Sequence, residues 1–234
     1  MTRRQWARAA ATMIAATAAV SGGAAAAPTA AAQECPDVEV VFARGTSEAP
    51  GVGNVGQAFV DAVRAQAAPR TVGVYAVNYA ASNNFAARTE IAQTVIDGIN
   101  DESGHVQAMA ANCPNTRMVL GGYSQGALVS GFTTSDVVPA MVPTAIAPRP
   151  MPPAVADHVA AVVLFGTPSG TFLERYGAPA ITIGPRYADK TLQLCAQGDT
   201  ICDGAPDGGP TVAHALYPVN GMVNEGAAYA VGRL

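Results

Sequence analysis

The chain has few charged side chains and no cluster of basic ones. Only 13% of its 234 residues are charged, with 13 Lys and Arg against 17 Asp and Glu. Nucleic-acid-binding proteins concentrate basic residues in a run or on one face, so we expect no nucleic-acid partner. Half of the residues are hydrophobic, which suffices for one domain with a full core but not for two large ones. We find no internal repeat and expect a monomer.

The chain also lacks an apolar run as long as the roughly 20 residues that a membrane-spanning helix needs. Residues 9–20 are uncharged and mostly apolar, but they are too few. They follow a segment with three arginines and precede alanine-rich runs that end at Ala27 and Ala32. This order is typical of a secretory signal peptide, which we place at residues 1–32, with a membrane anchor as the alternative. We expect a secreted, extracellular or cell-wall-associated protein without stable membrane insertion.

Cysteines are few and do not have the spacing of a metal site. Cys35, Cys113, Cys195 and Cys202 form no C-x-x-C pair and have no histidine nearby, which disfavours zinc. An even number of cysteines in an exported chain favours disulfides, for which three pairings exist. Because Cys195 and Cys202 are close in sequence, we expect them to pair, which leaves Cys35 for Cys113. We expect no metal and no cofactor.

Short apolar runs alternate with longer amphipathic ones after residue 35. Five runs that are apolar on nearly every residue predict strands buried on both faces, at residues 38–43, 72–79, 118–123, 159–166 and 191–196. Amphipathic stretches predict helices, of which one spans 86–112 with a break near Ser103 and Gly104. Buried strands with helices between them predict a parallel sheet. We therefore expect a single α/β domain at 35–234, a doubly wound three-layer sandwich with about five strands.

Residues 136–157 contain six prolines among aliphatic side chains. Proline has no N–H and a fixed φ, so this segment excludes a regular helix or a central strand. We expect an ordered surface crossover. It either connects its neighbours only or forms an apolar wall beside the functional site.

A serine lies at the end of the third predicted strand, in the segment Gly122-Tyr123-Ser124-Gln125-Gly126. In a G-x-S-x-G segment between a strand and a helix, the sharp turn exposes the serine hydroxyl at the sheet edge. Ser124 is the candidate nucleophile, and the Gln125 N–H is a candidate oxyanion donor. Thr46, in the loop after the first strand, is the second candidate donor. The alternative is a glycine-rich turn that only packs against a helix.

A nucleophilic serine needs a base, and in this arrangement the chain order is serine, acid, histidine. Of the three histidines, His105 precedes Ser124, and His158 lies at a strand start where a solvated side chain is favoured. His214 follows the fifth strand and is the candidate base.

Three aspartates lie between the fifth strand and this histidine. Asp199 lies between Cys195 and Cys202, in a disulfide loop that would hold it rigidly. Asp203 and Asp207 lie among glycines and prolines and are expected to be exposed. Asp199 is therefore the candidate acid, which would orient and stabilise the protonated histidine.

Four motifs resemble those of the cutinase family, including the cutinase-like esterases of actinobacteria. They are ARGTSE at 43–48, GGYSQG at 121–126, LFGTP at 164–168, and CAQGDTIC at 195–202, which precedes His214. The resemblance covers the chain from Cys35 to its C-terminal helix and implies an α/β-hydrolase fold. It implies a catalytic triad of Ser124, Asp199 and His214. It implies an oxyanion hole formed by Thr46 and Gln125. It also implies the disulfides Cys35–Cys113 and Cys195–Cys202.

Two positions depart from the pattern of fungal members. Thr46 stands where those members often have serine, and residues 203–210 are polar and glycine-rich where they tend to be aliphatic. Such a rim offers less apolar surface for adsorption to a polymer. We expect a secreted serine esterase for short- to medium-chain acyl esters, with cutin or another polyester as a further candidate. The alternatives are a phospholipase or lipid acyltransferase with the same triad, and a secreted binding or antigenic protein with a vestigial site.

Overall fold

Five apolar runs form one parallel sheet in the computed structural model, which describes residues 35–140 and 142–234. The predicted signal peptide lies outside the described residues. The strand order is β2-β1-β3-β4-β5. The strands are β1 Val38–Ala43, β2 Val72–Ala76, β3 Arg117–Tyr123, β4 Val159–Phe165 and β5 Thr191–Leu194. In the part of the chain that is described, no helix has both the length and the hydropathy to cross a membrane.

Helices cover both faces of the sheet, because successive side chains of a strand point to opposite faces. In β1, Val40 and Phe42 pack in the core under α1 and α7, whereas Val41 and Ala43 pack under α2 and α3. The predicted three-layer α/β sandwich is confirmed. The helices are α1 Gly53–Ala67, α2 Arg88–Asn112, α3 Gln125–Thr133, α4 Gly170–Arg175, α5 Pro185–Ala188, α6 Val212–Ala215 and α7 Met222–Val231.

The predicted break in the second helix is wrong, since α2 is continuous through Ser103 and Gly104. An isolated glycine costs a helix only about 1 kcal/mol relative to alanine. Burial of Ile99 and Val106 on either side of it outweighs that cost. The short helices α4, α5 and α6 were not expected, because four to six residues are too few to show a helical period.

Two disulfides join Cys35 to Cys113 and Cys195 to Cys202, the pairing expected from the sequence. The first ties the chain before β1 to the end of α2 and closes a loop of 78 residues. The second closes a loop of seven residues just after β5. In the loop-entropy model the longer link contributes about 4–5 kcal/mol and the shorter about 2–3 kcal/mol to stability.

At the described positions of the proline-rich segment, which are 136–140 and 142–157, the only helix is a 3-10 helix at Pro153–His158, where the segment meets β4. Residues between Val137 and Pro150 instead form one wall of an apolar cavity beside α2 and α3. The segment therefore forms an apolar wall, but the wall borders this cavity, and its predicted place beside the functional site stays a prediction. Ser124 is not among the residues that line this cavity.

A carboxyl group is fully buried between α2 and α3. Burial raises the pKa of Glu102 to about 8, although Ser130 and Thr133 hydrogen-bond to it. The Ser130 hydroxyl lies 2.8 Å from the Gly121 carbonyl oxygen and 3.1 Å from Glu102 Oε2, and its one hydrogen can serve only one of them. A protonated Glu102 can donate from Oε2 to Ser130 Oγ while the Ser130 hydroxyl donates to the Gly121 carbonyl oxygen.

This burial predicts a pH dependence of stability. The folded-state pKa of Glu102 exceeds its ordinary value of 4.5, so the folded chain binds more protons than the unfolded chain between these two pH values. The group's contribution to the free energy of unfolding therefore falls as the pH rises through that window. The glutamine side chain of a Glu102→Gln variant would stay neutral at every pH. As the pH rises from about 5 to about 8, we therefore expect the melting temperature of Glu102→Gln to fall less than that of the unmodified protein.

The control is Glu225→Gln, which changes an exposed carboxylate and should keep the original pH dependence. Equal losses of melting temperature in Glu102→Gln and in the unmodified protein would contradict the prediction.

Candidate active site

Ser124 lies on a tight turn that joins β3 to α3. Its φ of 54° and ψ of −115° fall in a region that residues other than glycine rarely adopt and that is enriched at functional sites. The turn depends on a glycine two residues later, since a Cβ at Gly126 would lie 1.9 Å from the carbonyl oxygen of Ala43. The first turn of α3 can therefore approach β1 closely, and the serine lies at the carboxyl edge of the sheet.

The His214 imidazole bridges Ser124 and Asp199. Its Nε2 lies 2.9 Å from Ser124 Oγ, and its Nδ1 lies 2.9 Å from each carboxylate oxygen of Asp199. The aspartate is 0% exposed and the histidine 9% exposed, so little water competes for these hydrogen bonds. The structure thus brings together the three residues predicted from the sequence.

The other candidates lie elsewhere. His105 stacks on Tyr75 and contacts Glu39 near the start of β1, at 2.9 Å between Nε2 and Oε2. His158 ends the 3-10 helix just before β4, also at the amino edge of the sheet. Asp203 and Asp207 are exposed, as expected.

The candidate acid and the candidate base lie on two loops that a hydrogen bond joins. Asp199 lies within the Cys195–Cys202 disulfide loop, and its Oδ1 accepts the N–H of Ile201 at 3.1 Å. Thr211, just before α6, donates its hydroxyl to the Gly198 carbonyl at 2.8 Å, which ties the histidine loop to the disulfide loop. These bonds hold the imidazole and the carboxylate in a fixed relation.

A glycine after β4 leaves room for the side chains of Asp199 and His214. Gly166 has a φ of 56°, and a Cβ there would lie 3.1 Å from both Asp199 Oδ2 and His214 Cε1. A larger residue would be strained and would crowd both side chains. This explains the glycine of the LFGTP motif, whose role the sequence had left open.

Two tyrosines that sequence reasoning missed complete the hydrogen-bond network. Tyr217, which is fully buried, donates its hydroxyl to Asp199 Oδ2 at 2.7 Å and accepts the N–H of Ala196 at 3.0 Å. Tyr123 donates to the backbone carbonyl of His214 at 2.6 Å. Only their positions in the sequence could have pointed to these tyrosines, since one immediately precedes Ser124 and the other follows His214 by three residues.

These contacts keep the carboxyl group of Asp199 charged. Burial raises its pKa, but hydrogen bonds from His214, Tyr217 and the N–H of Ile201 lower it by more, so the pKa lies below its ordinary value of 3.8. Burial and the bond to Asp199 raise the pKa of Tyr217, which therefore stays protonated and can donate. A charged carboxylate can then stabilise a positive charge on His214.

The two predicted oxyanion donors follow the ends of neighbouring strands, where Ala43 of β1 pairs with Gly122 of β3. Within residues 35–140 and 142–234, the backbone N–H groups of Thr46 and Gln125 donate no hydrogen bond. The Gln125 side chain donates to the Ser82 carbonyl at 3.0 Å and so is engaged elsewhere. Both N–H groups are thus free to bind a ligand oxygen.

A buried arginine and a partly buried glutamate hold the loop that carries Thr46. Arg44, 4% exposed, donates to the carbonyl oxygens of Glu48 and Tyr79. The Glu48 carboxylate accepts the N–H groups of Gly45 at 2.6 Å and of Asn54, at the start of α1, at 2.7 Å. Residues of the ARGTSE motif therefore hydrogen-bond to one another, to Tyr79 and to the start of α1, which holds the loop in place.

Exposed aliphatic side chains flank the histidine. Val212 is 75% exposed, Leu216 42% and Val219 77%. The loop at 203–210 is polar, as the sequence indicated, but apolar surface lies immediately after it.

Cys195, Asp199 and Cys202 also come close enough together to suggest a metal site. Both sulfurs belong to the disulfide, however, and so they are not available as thiolate ligands. The geometry of this cluster fits a structural link and not an ion.

Residues 34–234 match the family model described as Cutinase. The chain is 60% identical to the "Probable carboxylesterase Culp7" of Mycobacterium tuberculosis over 72% of its length and 88% of the relative. It is 45% identical to the "Carboxylesterase Culp1" of the same organism, over 100% of its length and 98% of the relative. It is 46% identical to that organism's "Phospholipase Culp4", over 87% of its length and 81% of the relative.

Among solved structures, the fold matches the cutinase of Trichoderma reesei in complex with a C11Y4 phosphonate inhibitor. The TM-score is 0.61 at 31% identity, and the match covers 85% of this chain and 76% of that one. Fold and relatives together define the class of this protein, a carboxylic ester hydrolase with an α/β-hydrolase-type fold. Within that class, the chain belongs to the cutinase family.

Proposed function

We propose that the protein is an exported serine esterase, with residues 35–234 as its single catalytic domain and Ser124 as its nucleophile. The observation that carries this proposal is the continuous hydrogen-bonded chain from Ser124 through His214 to Asp199. A weakly nucleophilic hydroxyl, a base and an orienting acid stand at hydrogen-bonding distances, as acyl transfer through serine requires. A vestigial site would not need to retain all three contacts.

The reaction proceeds in two steps. His214 Nε2 takes the proton of Ser124 Oγ as this oxygen attacks the ester carbonyl, and Asp199 stabilises the resulting imidazolium at Nδ1. The imidazolium then gives its proton to the departing alcohol, which leaves an acyl-enzyme on Ser124. Water attacks this ester while His214 takes one of its protons, and His214 then returns that proton to Ser124 Oγ as the bond to the acyl group breaks and the acid product departs.

The N–H groups of Thr46 and Gln125 hold the negative oxygen of each tetrahedral intermediate. Their lack of a partner in the described structure supports this role. Losing one oxyanion donor in a serine hydrolase costs about 10²–10³ in rate. Because these donors are backbone groups on fixed loops, they need little reorganisation during the reaction.

Short- to medium-chain acyl esters are the proposed substrates. The exposed aliphatic side chains at Val212, Leu216 and Val219 support contact with an apolar chain or a polymer surface beside His214. The same surface, and the likeness to a protein named a phospholipase, favour phospholipid hydrolysis as the second candidate. Parallel assays on soluble p-nitrophenyl esters, a polyester and a phospholipid emulsion distinguish these substrates.

Export is supported by the cysteines. All four form disulfides in the structure, and such bonds persist mainly in oxidising compartments outside the cytoplasm. We propose that residues 1–32 direct this export and that the protein acts as a monomer without a cofactor.

Replacement of the nucleophile is the first test. Ser124→Ala should lower hydrolysis of p-nitrophenyl butyrate by about 10³-fold or more and abolish labelling by a fluorophosphonate probe, because only an activated serine reacts. Ser103→Ala, on α2, is the matched control and should keep both signals. Undiminished hydrolysis in Ser124→Ala would overturn the assignment.

Replacement of the acid distinguishes two aspartates of the same loop region. Asp199→Asn should lower kcat by about 10⁴-fold, because the amide favours the wrong tautomer of His214 and does not stabilise its charged form. Asp203→Asn should keep nearly full activity, since that carboxylate is exposed and accepts only the N–H of Ala205. The reverse result in the same ester assay would assign the acid to Asp203.

Tyr217 is expected to act on the reaction through Asp199. Tyr217→Phe keeps the ring but removes the hydroxyl, so kcat should fall by about tenfold while KM changes little. Tyr229→Phe, on α7, is the control and should keep both constants. An unchanged kcat in Tyr217→Phe, or an equal fall in kcat for Tyr229→Phe, would contradict the role.

A further inference from the structure

An apolar cavity of about 390 Å³ lies beside α2 and α3. Its walls are the first half of α2 from Arg88 to Ile99, Leu128 and Phe132 of α3, the proline-rich segment, and residues 173–179. The volume falls within the range of about 300–1,000 Å³ that small-molecule pockets occupy. Neither the proposed triad nor the two oxyanion residues contribute to the lining.

The apolar side chains around this cavity are exposed as a group. Five of the nine large hydrophobic residues that are exposed in the described structure line it, namely Phe85, Val137, Val138, Ile146 and Tyr176. Scattered exposed hydrophobic residues are ordinary, whereas a contiguous patch marks a binding surface. The cavity is therefore better explained as a ligand site than as a packing defect.

The charges of the lining are of one sign. Arg88 and Arg149 are its only charged residues, both are exposed, and neither forms a salt bridge within the described part of the chain. Arg88 is the first residue of α2, and the apolar lining follows that helix to Ile99, over a length of about 16 Å. The arrangement is complementary to an extended alkyl chain with an anionic head.

We propose that this cavity binds the alkyl chain of a single-chain anionic amphiphile, of which a long-chain fatty acid is the simplest, and that Arg88 and Arg149 hold its head group. A carboxylate and a phosphate monoester share this chemistry. Ser124 does not line the cavity, and binding here requires no hydrolysis, so the proposal does not rest on the proposed catalytic mechanism.

Calorimetric titration of the Ser124→Ala protein tests the ligand class without turnover. Dodecanoate should bind at one saturable site, and butyrate, which lacks the long chain, should not. Dodecanol keeps the chain without the charge and should bind about fivefold more weakly than dodecanoate. Dodecyl phosphate should also bind, and the tighter of the two anions identifies the head group.

Removing both charges tests the role of the arginines. The double variant Arg88→Gln/Arg149→Gln should weaken dodecanoate binding by about fivefold and leave dodecanol binding unchanged. Arg64→Gln, on the exposed face of α1, is the matched control and should bind dodecanoate normally. If the double variant loses affinity for dodecanoate and for dodecanol equally, the arginines do not bind the anionic head group, and their assignment is overturned.

Filling the cavity tests its location. Ala92→Trp, on α2, and Ala178→Trp, in the lining segment 173–179, should each weaken dodecanoate binding by about tenfold or more. Ala108→Trp places the same side chain on an exposed part of α2 outside the cavity and should not. Circular dichroism establishes that each variant is folded. Unchanged affinity in both folded cavity variants, or no saturable binding of dodecanoate at all, would overturn the proposal.

Discussion

The contact between the first turn of α3 and the end of β1 is the constraint on which the site depends. Only a residue without a side chain fits at position 126, where a Cβ would overlap the carbonyl oxygen of Ala43. This approach forces Ser124 into a positive φ, points its hydroxyl outward and leaves the N–H of Gln125 at the start of the helix. One close backbone contact thus positions both the proposed nucleophile and a proposed oxyanion donor.

Burial of a charge governs the rest of the site. Asp199 is removed from water, and its carboxylate is stable there only because His214, Tyr217 and the N–H of Ile201 supply hydrogen bonds. The disulfide loop and the bond between Thr211 and Gly198 keep these partners in place. Stability and chemistry are coupled here, since the groups that satisfy the carboxylate also orient the imidazole.

The two faces of the sheet differ in how completely they are covered. On the side of α1 and α7, side chains of both helices fill one continuous core. On the other side, residues between Val137 and Pro150 of the proline-rich segment line the cavity beside α2 and α3, and their described positions form no helix, because proline disfavours one that could close the gap. The apolar cavity is the consequence, and it gives this chain an apolar surface beyond the rim beside His214.

The sequence by itself determined the α/β class, the approximate positions at which the strands begin and the three residues proposed as the triad. Apolar runs, the order of serine, acid and histidine along the chain and the spacing of the cysteines favoured these predictions before any coordinates were known. Local patterns did not show that α2 runs through Gly104, because burial of distant side chains outweighs the preference of one glycine. Tyr217, Gly166 and the cavity likewise required coordinates, since hydrogen bonds, close contacts and empty space arise between segments that are far apart in the chain.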